Sequence, residues 1–438
     1  MIDKPSVEPK PGDTVSIQLN DGIVQTGILM PRPSLCETKE EMISLKLKTG
    51  YNFGIKKSKI KSIHIIEHHK TLEQHKKQLP FNKELPTVSI LSTGGTISSK
   101  IDYRTGGVYA DYTAEDFVQM CPELLTIANI KARKVMSVMS EDMLADDWKA
   151  LAKIIYDELQ TDVAGVIVTM GTDILHFVTA AMSFFLGKIN KPVVFTAAQR
   201  SIDRGSTDAF MNLICAVKAA SQFDGAEVMT CLHGSTDDEY CLLIRGTKVR
   251  KMHTSRRDAF RPINALPLAK VFVDKPIVII DKEYRKRHTG RFTPEIHFEE
   301  KVAVIIVVPN MEPDIIDFYL QKGYKGIVIA ATALGHVNTW TKKSMISFIK
   351  KATDMHVPVV MSTQTIYGAV HPLVYTNLRK VSIEAGAIYV HDMLPDVAYI
   401  KLCWVLGQTK SYEKVKELML TNIAGEINER TFVDTFLK

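Results

Sequence analysis

The sequence predicts an α/β protein, in which a small SH3-like N-terminal β-barrel precedes a two-domain α/β body with parallel sheets. Short β-branched runs separated by turn residues fill roughly the first 75 positions, as in small barrels. Beyond Pro86, short apolar runs alternate with stretches of helical periodicity, which is typical of parallel sheets covered by helices. The 438 residues leave room for three parts, which we place at 1–78, 79–285 and 286–438.

The N-terminal module is expected to contain four strands separated by Asn, Gly and Pro turns. They cover residues 13–18, 23–29, 42–47 and 60–66. A polar stretch at 68–77, rich in histidine and lysine, then forms a linker. Four lysines before this linker either lie on a solvated face, which is the commoner situation, or contact phosphates. They are Lys56, Lys57, Lys59 and Lys61.

The body is expected to alternate strands with helices in two successive sets. The first set has strands at 88–91, 163–168, 192–196 and 226–232, with helices at 142–159, 174–186 and 208–220. The second has strands at 302–308, 326–330 and 358–362, with helices at 314–322, 342–353 and 396–406. The first helix has an apolar face at three- and four-residue spacing, formed by Leu144, Trp148, Leu151, Ile155 and Leu159.

Composition narrows the possible classes of protein. With 45% hydrophobic and 24% charged residues, the chain has the balance of a soluble globular protein. No apolar run approaches the roughly 18 residues of a membrane span, and the polar N-terminus does not resemble a secretory signal. The six cysteines are scattered without a CxxC pair, which favours reduced thiols in the cytoplasm and gives no sign of zinc. A net charge of +6 permits a nucleic-acid partner without indicating one.

Two turns rich in threonine and glycine follow expected strands of the same sheet. Thr93-Gly94-Gly95-Thr96 ends the strand at 88–91, and Thr172-Asp173 follows Gly171 after the strand at 163–168. Ligands bind at the carboxyl ends of such strands. Each turn has a simpler interpretation, a glycine turn for the first and a helix N-cap for the second.

A threonine nucleophile needs a neighbouring base or cation. Candidates are concentrated in residues 242–260, which contain Arg245, Lys248, Arg250, Lys251, Arg256 and Arg257. The alternative is a surface loop with solvent or phosphate contacts, and the sequence does not decide which lysine turns inward.

From Pro86 to the C-terminus the chain resembles the L-asparaginase/glutaminase type I–II amidohydrolases. Two segments are similar to the threonine signatures of that family, STGGTISS at 92–99 and TMGTDIL at 169–175. Three more resemble further family segments: DYRTGGV at 102–108, MSEDM at 139–143 and PVVFTAAQRS at 192–201. The resemblance implies an asparaginase-like fold for the body and amide hydrolysis as the activity.

The resemblance also implies catalytic roles. Thr93 matches the nucleophile, which attacks the amide carbonyl and forms an acyl-enzyme. Thr172, Asp173 and Lys251 match the family's Thr-Asp-Lys group, which supports proton transfer. Which threonine attacks first stays open, and Lys248 stands only three residues from Lys251. Backbone N–H groups near Gly94, Gly95 or Gly171 are candidates for stabilising the oxyanion.

Three further positions match substrate-binding residues of the family. Ser140 corresponds to a ligand of the substrate carboxylate, and Asp173 would also receive the substrate ammonium. Tyr103 would close over the substrate and orient Thr93. Glu141 stands where free asparaginases usually carry Gln, and this difference would change the contact with the substrate amino group. No metal site is implied.

Within that family, the added β-module points to one branch. Together with residues 47–60 and 392–407, it resembles the D subunits of archaeal-type glutamyl-tRNA(Gln) amidotransferases. This implies a glutaminase whose ammonia serves a partner, the E subunit, that converts Glu-tRNA(Gln) to Gln-tRNA(Gln). ATP and Mg²⁺ would bind at the partner, tRNA would bind mainly through it, and this chain would hold no cofactor. The family also implies an asparaginase-like dimer, and nothing points to membrane association.

Three other functions stay in view. A free-standing cytosolic L-asparaginase with an accessory β domain is the principal alternative. A nucleotide-binding α/β protein is disfavoured because neither G-x-G-x-x-G nor G-x-x-x-x-G-K-[ST] stands at a strand end. The lysines between Lys56 and the linker also permit a tRNA-binding module.

Overall fold

The computed structural model describes residues 8–30, 42–47, 52–68, 80–94, 99–101, 108–110, 118, 121–200, 202 and 206–436. The chain divides into two compact units. One is formed by Met1–Gln78 and Ser99–Asp111, and the other by Leu79–Ser98 and Tyr112–Lys438. The three-part division with boundaries after residues 78 and 285 stays a prediction.

The first unit contains a five-stranded antiparallel sheet. Its strands are β1 (Thr14–Leu19), β2 (Val24–Met30), β3 (Met42–Lys46), β4 (Asn52–Lys56) and β5 (Ile60–Glu67). They lie in the order β4-β3-β2-β1-β5 around a small apolar core. The four expected strands are confirmed and β4 is additional. Among the described residues β4 and β5 are the two edges, so closure into an SH3-like barrel stays a prediction.

The second unit begins with β6 (Thr87–Ser92). The antiparallel hairpin of β7 (Ser99–Ile101) and β8 (Val108–Ala110) follows in sequence but belongs to the first unit. The remaining strands of this part of the chain are β9 (Asn129–Lys134), β10 (Gly165–Thr169), β11 (Val193–Thr196), β12 (Val228–His233), β13 (Cys241–Arg245), β14 (Val249–Lys251), β15 (Phe260–Pro262), β16 (Ala269–Val271) and β17 (Val278–Ile279).

Eight of these strands form one sheet in the order β17-β16-β13-β12-β11-β10-β6-β9. The strands from β9 to β12 are parallel, which confirms the expected fold class. Strands β13, β16 and β17 extend the sheet in antiparallel fashion, which the sequence did not predict. Helices α1 (Ala145–Leu159), α2 (Leu175–Leu186) and α3 (Ala209–Gln222) connect its parallel strands.

Helix α1 buries the apolar face that the sequence predicts, with one exception. Trp148, Leu151, Ile155 and Leu159 are buried, whereas Leu144 is 71% exposed. Leu144 precedes the helix, and its backbone N–H donates to the Asp147 carboxylate at 2.9 Å. The helix therefore begins at Ala145, because an acidic side chain in the first turn satisfies this N–H.

A second sheet of four parallel strands follows, in the order β18 (Val302–Ile306), β19 (Gly326–Ala331), β20 (Val359–Thr363) and β21 (Ile388–Tyr389). The helices of this part are α4 (Ile315–Gln321), α5 (Ile346–Asp354), α6 (Thr376–Arg379), α7 (Pro395–Gln408) and α8 (Tyr412–Leu420). The three expected strands and three expected helices are confirmed. Helix α7 packs on α2, where Phe184 and Trp404 stack with their ring centroids 5.7 Å apart. Apolar residues of both sheets consequently share one core.

No helix in the described part of the chain has the length and apolar character needed to span a membrane.

Candidate active site

Strands β6 and β10 end side by side at the carboxyl edge of the eight-stranded sheet. Ser92 pairs with Thr169 in the parallel register. The next residue, Thr93, donates from its backbone N–H and from its hydroxyl to the carbonyl oxygen of Thr169, at 3.0 and 3.2 Å. Thr93 is almost completely buried. The two threonine turns therefore lie together, at the edge where parallel sheets bind ligands.

The turn after β10 does not act as a helix cap. Helix α2 begins at Leu175 with Ile174 in the N-cap position, and no side chain caps it. The side chains of Thr172 and Asp173 instead meet Lys251, whose Nζ donates to Thr172 Oγ1 at 2.8 Å and to Asp173 Oδ1 at 2.9 Å. The N-cap alternative is thus wrong. Asp173 is 57% exposed at its side chain, so its carboxylate remains open to a further cationic group.

Lys248 and Lys251 have different environments. Lys248 is buried, and its Nζ lies 2.6 Å from the Asp392 carboxylate, which opposes the effect of burial. Burial nevertheless lowers the pKa of Lys248 below its ordinary value. Lys251 is the lysine that reaches Thr172 and Asp173, and the structure thereby distinguishes the two candidates.

The six cations of residues 242–260 each pair with a carboxylate. The pairs are Arg245–Glu227, Lys248–Asp392, Arg250–Asp396, Lys251–Asp173, Arg256–Asp258 and Arg257–Asp238. Strands β13 and β14 also run through this segment. The surface-loop alternative is wrong for the part that contains Lys248 and Lys251, whereas residues 252–256 do form an exposed loop, in which Arg256 is 52% exposed at its side chain.

Ser140 lies against the turn that carries Thr172 and Asp173. Its Oγ accepts from the backbone N–H of Asp173 at 3.3 Å and donates to the carboxylate of Glu141, also at 3.3 Å. A Cβ on Gly171 would stand 2.6 Å from Ser140 Oγ, so the close approach requires glycine. Ser140 is buried and Glu141 is exposed, which leaves the Glu141 carboxylate open to a ligand.

The remaining candidates are only partly covered. Gly94 is described and has a φ of +115°, a conformation that favours glycine. Gly95, Thr96 and Tyr103 lie outside the described residues. Of the seven candidate residues, the structure brings Thr172, Asp173, Lys251, Ser140 and Glu141 into one connected set of contacts. Thr93 lies near this set, since it donates to the carbonyl group of Thr169, three residues before Thr172.

Sequence reasoning missed the carboxylates that contact the segment around Lys251. Asp392 pairs with Lys248, and Asp396 pairs with Arg250, the residue directly before Lys251. Asp392 is 144 positions away from Lys248, and nothing in the spacing of either residue indicates that they meet.

Metal and disulfide chemistry find little support in the described part of the chain. Its His, Cys, Asp and Glu side chains form no group of three or more that could hold a metal ion. The five described cysteines are free and buried, and Cys36 lies outside the described residues. The described polar groups of this site include threonine hydroxyls, a lysine ammonium and carboxylates.

Three family models match successive parts of the chain. Residues 9–66 match the GatD N-terminal domain, 87–284 match the N-terminal asparaginase domain, and 301–419 match the glutaminase/asparaginase C-terminal domain. Among solved structures, a thermostable L-asparaginase from Thermococcus kodakarensis aligns with a TM-score of 0.70 and 27% identity. The alignment covers 78% of this chain and 100% of that one. L-asparaginase I from Vibrio cholerae has the same fold, with a TM-score of 0.69 and 24% identity.

The curated relatives are similar over nearly the whole length. The D subunit of glutamyl-tRNA(Gln) amidotransferase from Pyrococcus furiosus is 48% identical over 431 residues, which cover 97% of each chain. The D subunit from Methanothermobacter thermautotrophicus is 45% identical, over 97% of this chain and 95% of its own. With its asparaginase-type body and matching N-terminal module, the chain belongs to the family of glutamyl-tRNA(Gln) amidotransferase D subunits.

Proposed function

We propose that this protein is the glutaminase component of a tRNA-dependent amidotransferase. One observation carries the proposal: Lys251 Nζ donates to both Thr172 and Asp173, beside the turn that holds Thr93. A hydroxyl nucleophile, a second hydroxyl and an ion pair that supports it are the parts that amide hydrolysis through an acyl-enzyme requires.

Acylation begins when Thr93 Oγ attacks the side-chain carbonyl carbon of glutamine. The Thr93 proton passes through Thr172 to the leaving nitrogen, so the C–N bond breaks with release of ammonia. A γ-glutamyl ester on Thr93 remains. The positive charge of Lys251, 2.8 Å from Thr172 Oγ1, lowers the cost of withdrawing a proton from that hydroxyl. The alternative is the opposite order, in which Thr172 attacks first.

Deacylation reverses the roles of the groups. A water molecule attacks the ester carbonyl and gives a proton back to Thr93 Oγ, which releases glutamate and restores the hydroxyl. Each tetrahedral intermediate places negative charge on the former carbonyl oxygen. Backbone N–H groups of the glycine turns at Gly94, Gly95 and Gly171 are suitable donors for that oxyanion.

The substrate amino acid is held by charges at the mouth of the site. Asp173 is exposed and takes the ammonium of the substrate, while Ser140 meets its carboxylate. Glu141 assists with the amino group, since its carboxylate is exposed next to Ser140. A role for Tyr103 in closing over the substrate stays a prediction, because this residue lies outside the described part of the chain.

The released ammonia serves a second protein of the complex, as the names of the relatives support. We assign amidation of Glu-tRNA(Gln) to the E subunit, which also binds ATP, Mg²⁺ and most of the tRNA. This chain binds no cofactor and forms an asparaginase-like dimer that carries one E subunit on each protomer. The complex works in the cytoplasm, where the scattered cysteines stay reduced.

A free-standing asparaginase is less well supported. The asparaginase from Thermococcus kodakarensis is 27% identical and spans 78% of this chain, whereas the D subunits reach 48% and span the β-module as well. Because the D subunits are the more similar relatives, we expect this protein to prefer glutamine over asparagine as its amide substrate.

Ammonia release from glutamine tests the proposal. The full-length chain is assayed alone and with the E subunit and Glu-tRNA(Gln), with wild type beside Thr93→Ala and with asparagine as the competing amide. We expect glutamine hydrolysis that the partner and charged tRNA stimulate and that Thr93→Ala abolishes. Asparagine hydrolysis that is faster than glutamine hydrolysis and indifferent to the partner would favour the asparaginase instead.

A further inference from the structure

Lys251 stands on a short strand outside the large sheet. Strand β14 pairs with β15 as a two-stranded ribbon, whereas the eight-stranded sheet carries the threonine turns. A ribbon of this kind is marginally stable by itself and depends on packing for its position. What fixes β14 therefore also fixes the distance from Lys251 to Thr172.

Within β14 alternate side chains point in opposite directions, as the pleat of a strand requires, whereas Lys248 lies in the turn before the strand. Lys248 lies 2.6 Å from Asp392, and on one side of β14 Arg250 lies 2.7 Å from Asp396. On the other side, Val249 is buried in the core and Lys251 reaches Thr172 and Asp173. Asp392 thus holds the turn before β14 and Asp396 holds Arg250 in the strand, while Lys251 on the other side of the strand enters the site.

Asp396 contacts one residue near each end of the ion pair between Lys251 and Asp173. It lies in the first turn of α7, and its Oδ2 is 2.7 Å from Arg250 Nη1 and 3.5 Å from His176 Nε2. Arg250 directly precedes Lys251, and His176 follows Asp173 by three residues. The Asp396 carboxylate is mostly shielded from water, and among the described residues its Oδ2 accepts no hydrogen bond, so its contact with Arg250 is a close charge pair.

We propose that Asp396 and Arg250 are positioning residues for Lys251. Asp396 holds the ribbon through Arg250 and the start of α2 through His176, and so sets the separation of Lys251 from Thr172. The inference rests on the proposed role of Lys251 in glutamine hydrolysis. Since an error of about 1 Å in a catalytic group can cost about 100-fold in rate, loss of this contact should affect kcat.

The first test compares Asp396→Asn and Asp396→Glu in the full-length chain with the E subunit and Glu-tRNA(Gln). We expect Asp396→Asn to lower kcat for ammonia release about 10- to 100-fold, with a smaller change in KM, and Asp396→Glu to recover part of the loss. The matched control is Asp354→Asn, because Asp354 pairs with Lys350 at 2.9 Å and both side chains are more than half exposed. The control should keep the wild-type kcat.

A double-mutant cycle asks whether the pair acts as a unit. If Asp396 works through Arg250, then Arg250→Met with Asp396→Asn should lose no more than about twofold beyond the worse single variant. Losses that multiply would overturn the proposal, as would a wild-type kcat in Asp396→Asn. Urea unfolding under assay conditions gives the folded fraction of each variant, and a loss of kcat that merely follows this fraction would also overturn it.

The outcome for Lys251→Ala separates the two proposals. If Lys251→Ala hydrolyses glutamine normally, the proposed function of the site fails. If Lys251→Ala is inactive while Asp396→Asn is normal, only the positioning role fails.

Discussion

The ammonium of Lys248 lies 2.6 Å from the carboxylate of Asp392, and both side chains are almost entirely buried. Asp392 also accepts from the backbone N–H of Asn428 at 2.9 Å and from its side-chain amide at 2.8 Å. This carboxylate therefore ties the segment before β14 to the turn after β21 and to the C-terminal residues. Three positions along, Lys251 donates to Thr172 and Asp173 instead, so the two lysines have different roles.

Replacing Lys248 should affect stability more than any surface lysine. Lys248→Met leaves Asp392 buried without its cation, which typically costs about 3–5 kcal/mol in the free energy of unfolding. Urea unfolding of the full-length chain measures this change in the free energy of unfolding. The control is Lys351→Met, which removes an exposed partner of Asp317 and should cost about 1 kcal/mol or less. Equal losses for the two variants would contradict this expectation.

Replacing Lys251 should affect activity rather than stability. Lys251→Met removes the donor to Thr172 and Asp173, and we expect kcat for glutamine hydrolysis to fall about a thousandfold. The unfolding midpoint should stay close to that of the wild type, because the partner carboxylate is exposed. A rate within about tenfold of the wild type would rule out this lysine as the catalytic cation.

Gly171→Ala should disturb substrate binding through Ser140. The new Cβ would stand 2.6 Å from Ser140 Oγ and 2.8 Å from Ser140 Cβ, so the serine must move away from Asp173. We expect KM for glutamine to rise about tenfold or more, because the displaced hydroxyl loses its hydrogen bond to the substrate carboxylate, a loss of about 1.5–3 kcal/mol. Gly54→Ala is the control, since its Cβ meets only the flexible end of Met42. An unchanged KM in Gly171→Ala would show that Ser140 does not bind the substrate.

Alkaline pH should weaken the fold partly through Cys121. Burial, with Glu123 as the next cause, raises the pKa of the Cys121 thiol from 9.0 to about 12. Between these values the unfolded chain loses a proton that the folded chain keeps, so this contribution to stability falls as pH rises. The difference in urea midpoint between wild type and Cys121→Ala should therefore shrink from about pH 8 to about pH 11. Parallel pH curves would show that this thiol makes no such contribution.

The fold class could be predicted because local patterns determine it. Strands β6, β10, β11 and β12 are short apolar runs, and helix α1 has an apolar face at helical spacing. Strand β4 was missed because Asn52 and Gly54 are poor strand formers that suggest a turn. It forms nevertheless, since pairing with β3 places Ile55 in the core.

Residues of the candidate site could be predicted only where they belong to a sequence motif. Thr93, Thr172 and Asp173 stand in recognisable signatures, whereas the choice between Lys248 and Lys251 depends on contacts distant in sequence. Lys248 meets Asp392 across 144 positions and Lys251 meets Thr172 across 79. Local residue spacing does not indicate either of these contacts. Which lysine enters the site is therefore determined by tertiary structure.

The acyl-enzyme gives the most direct test of the central claim, that Thr93 is the nucleophile. The complex is quenched with acid during turnover of glutamine, digested, and examined by mass spectrometry for a peptide carrying one γ-glutamyl group. Lys251→Met serves as a second sample in which turnover is slow. We expect the added mass on the peptide that contains Thr93, and its absence in Thr93→Ala. A γ-glutamyl group on Thr172 would contradict the claim.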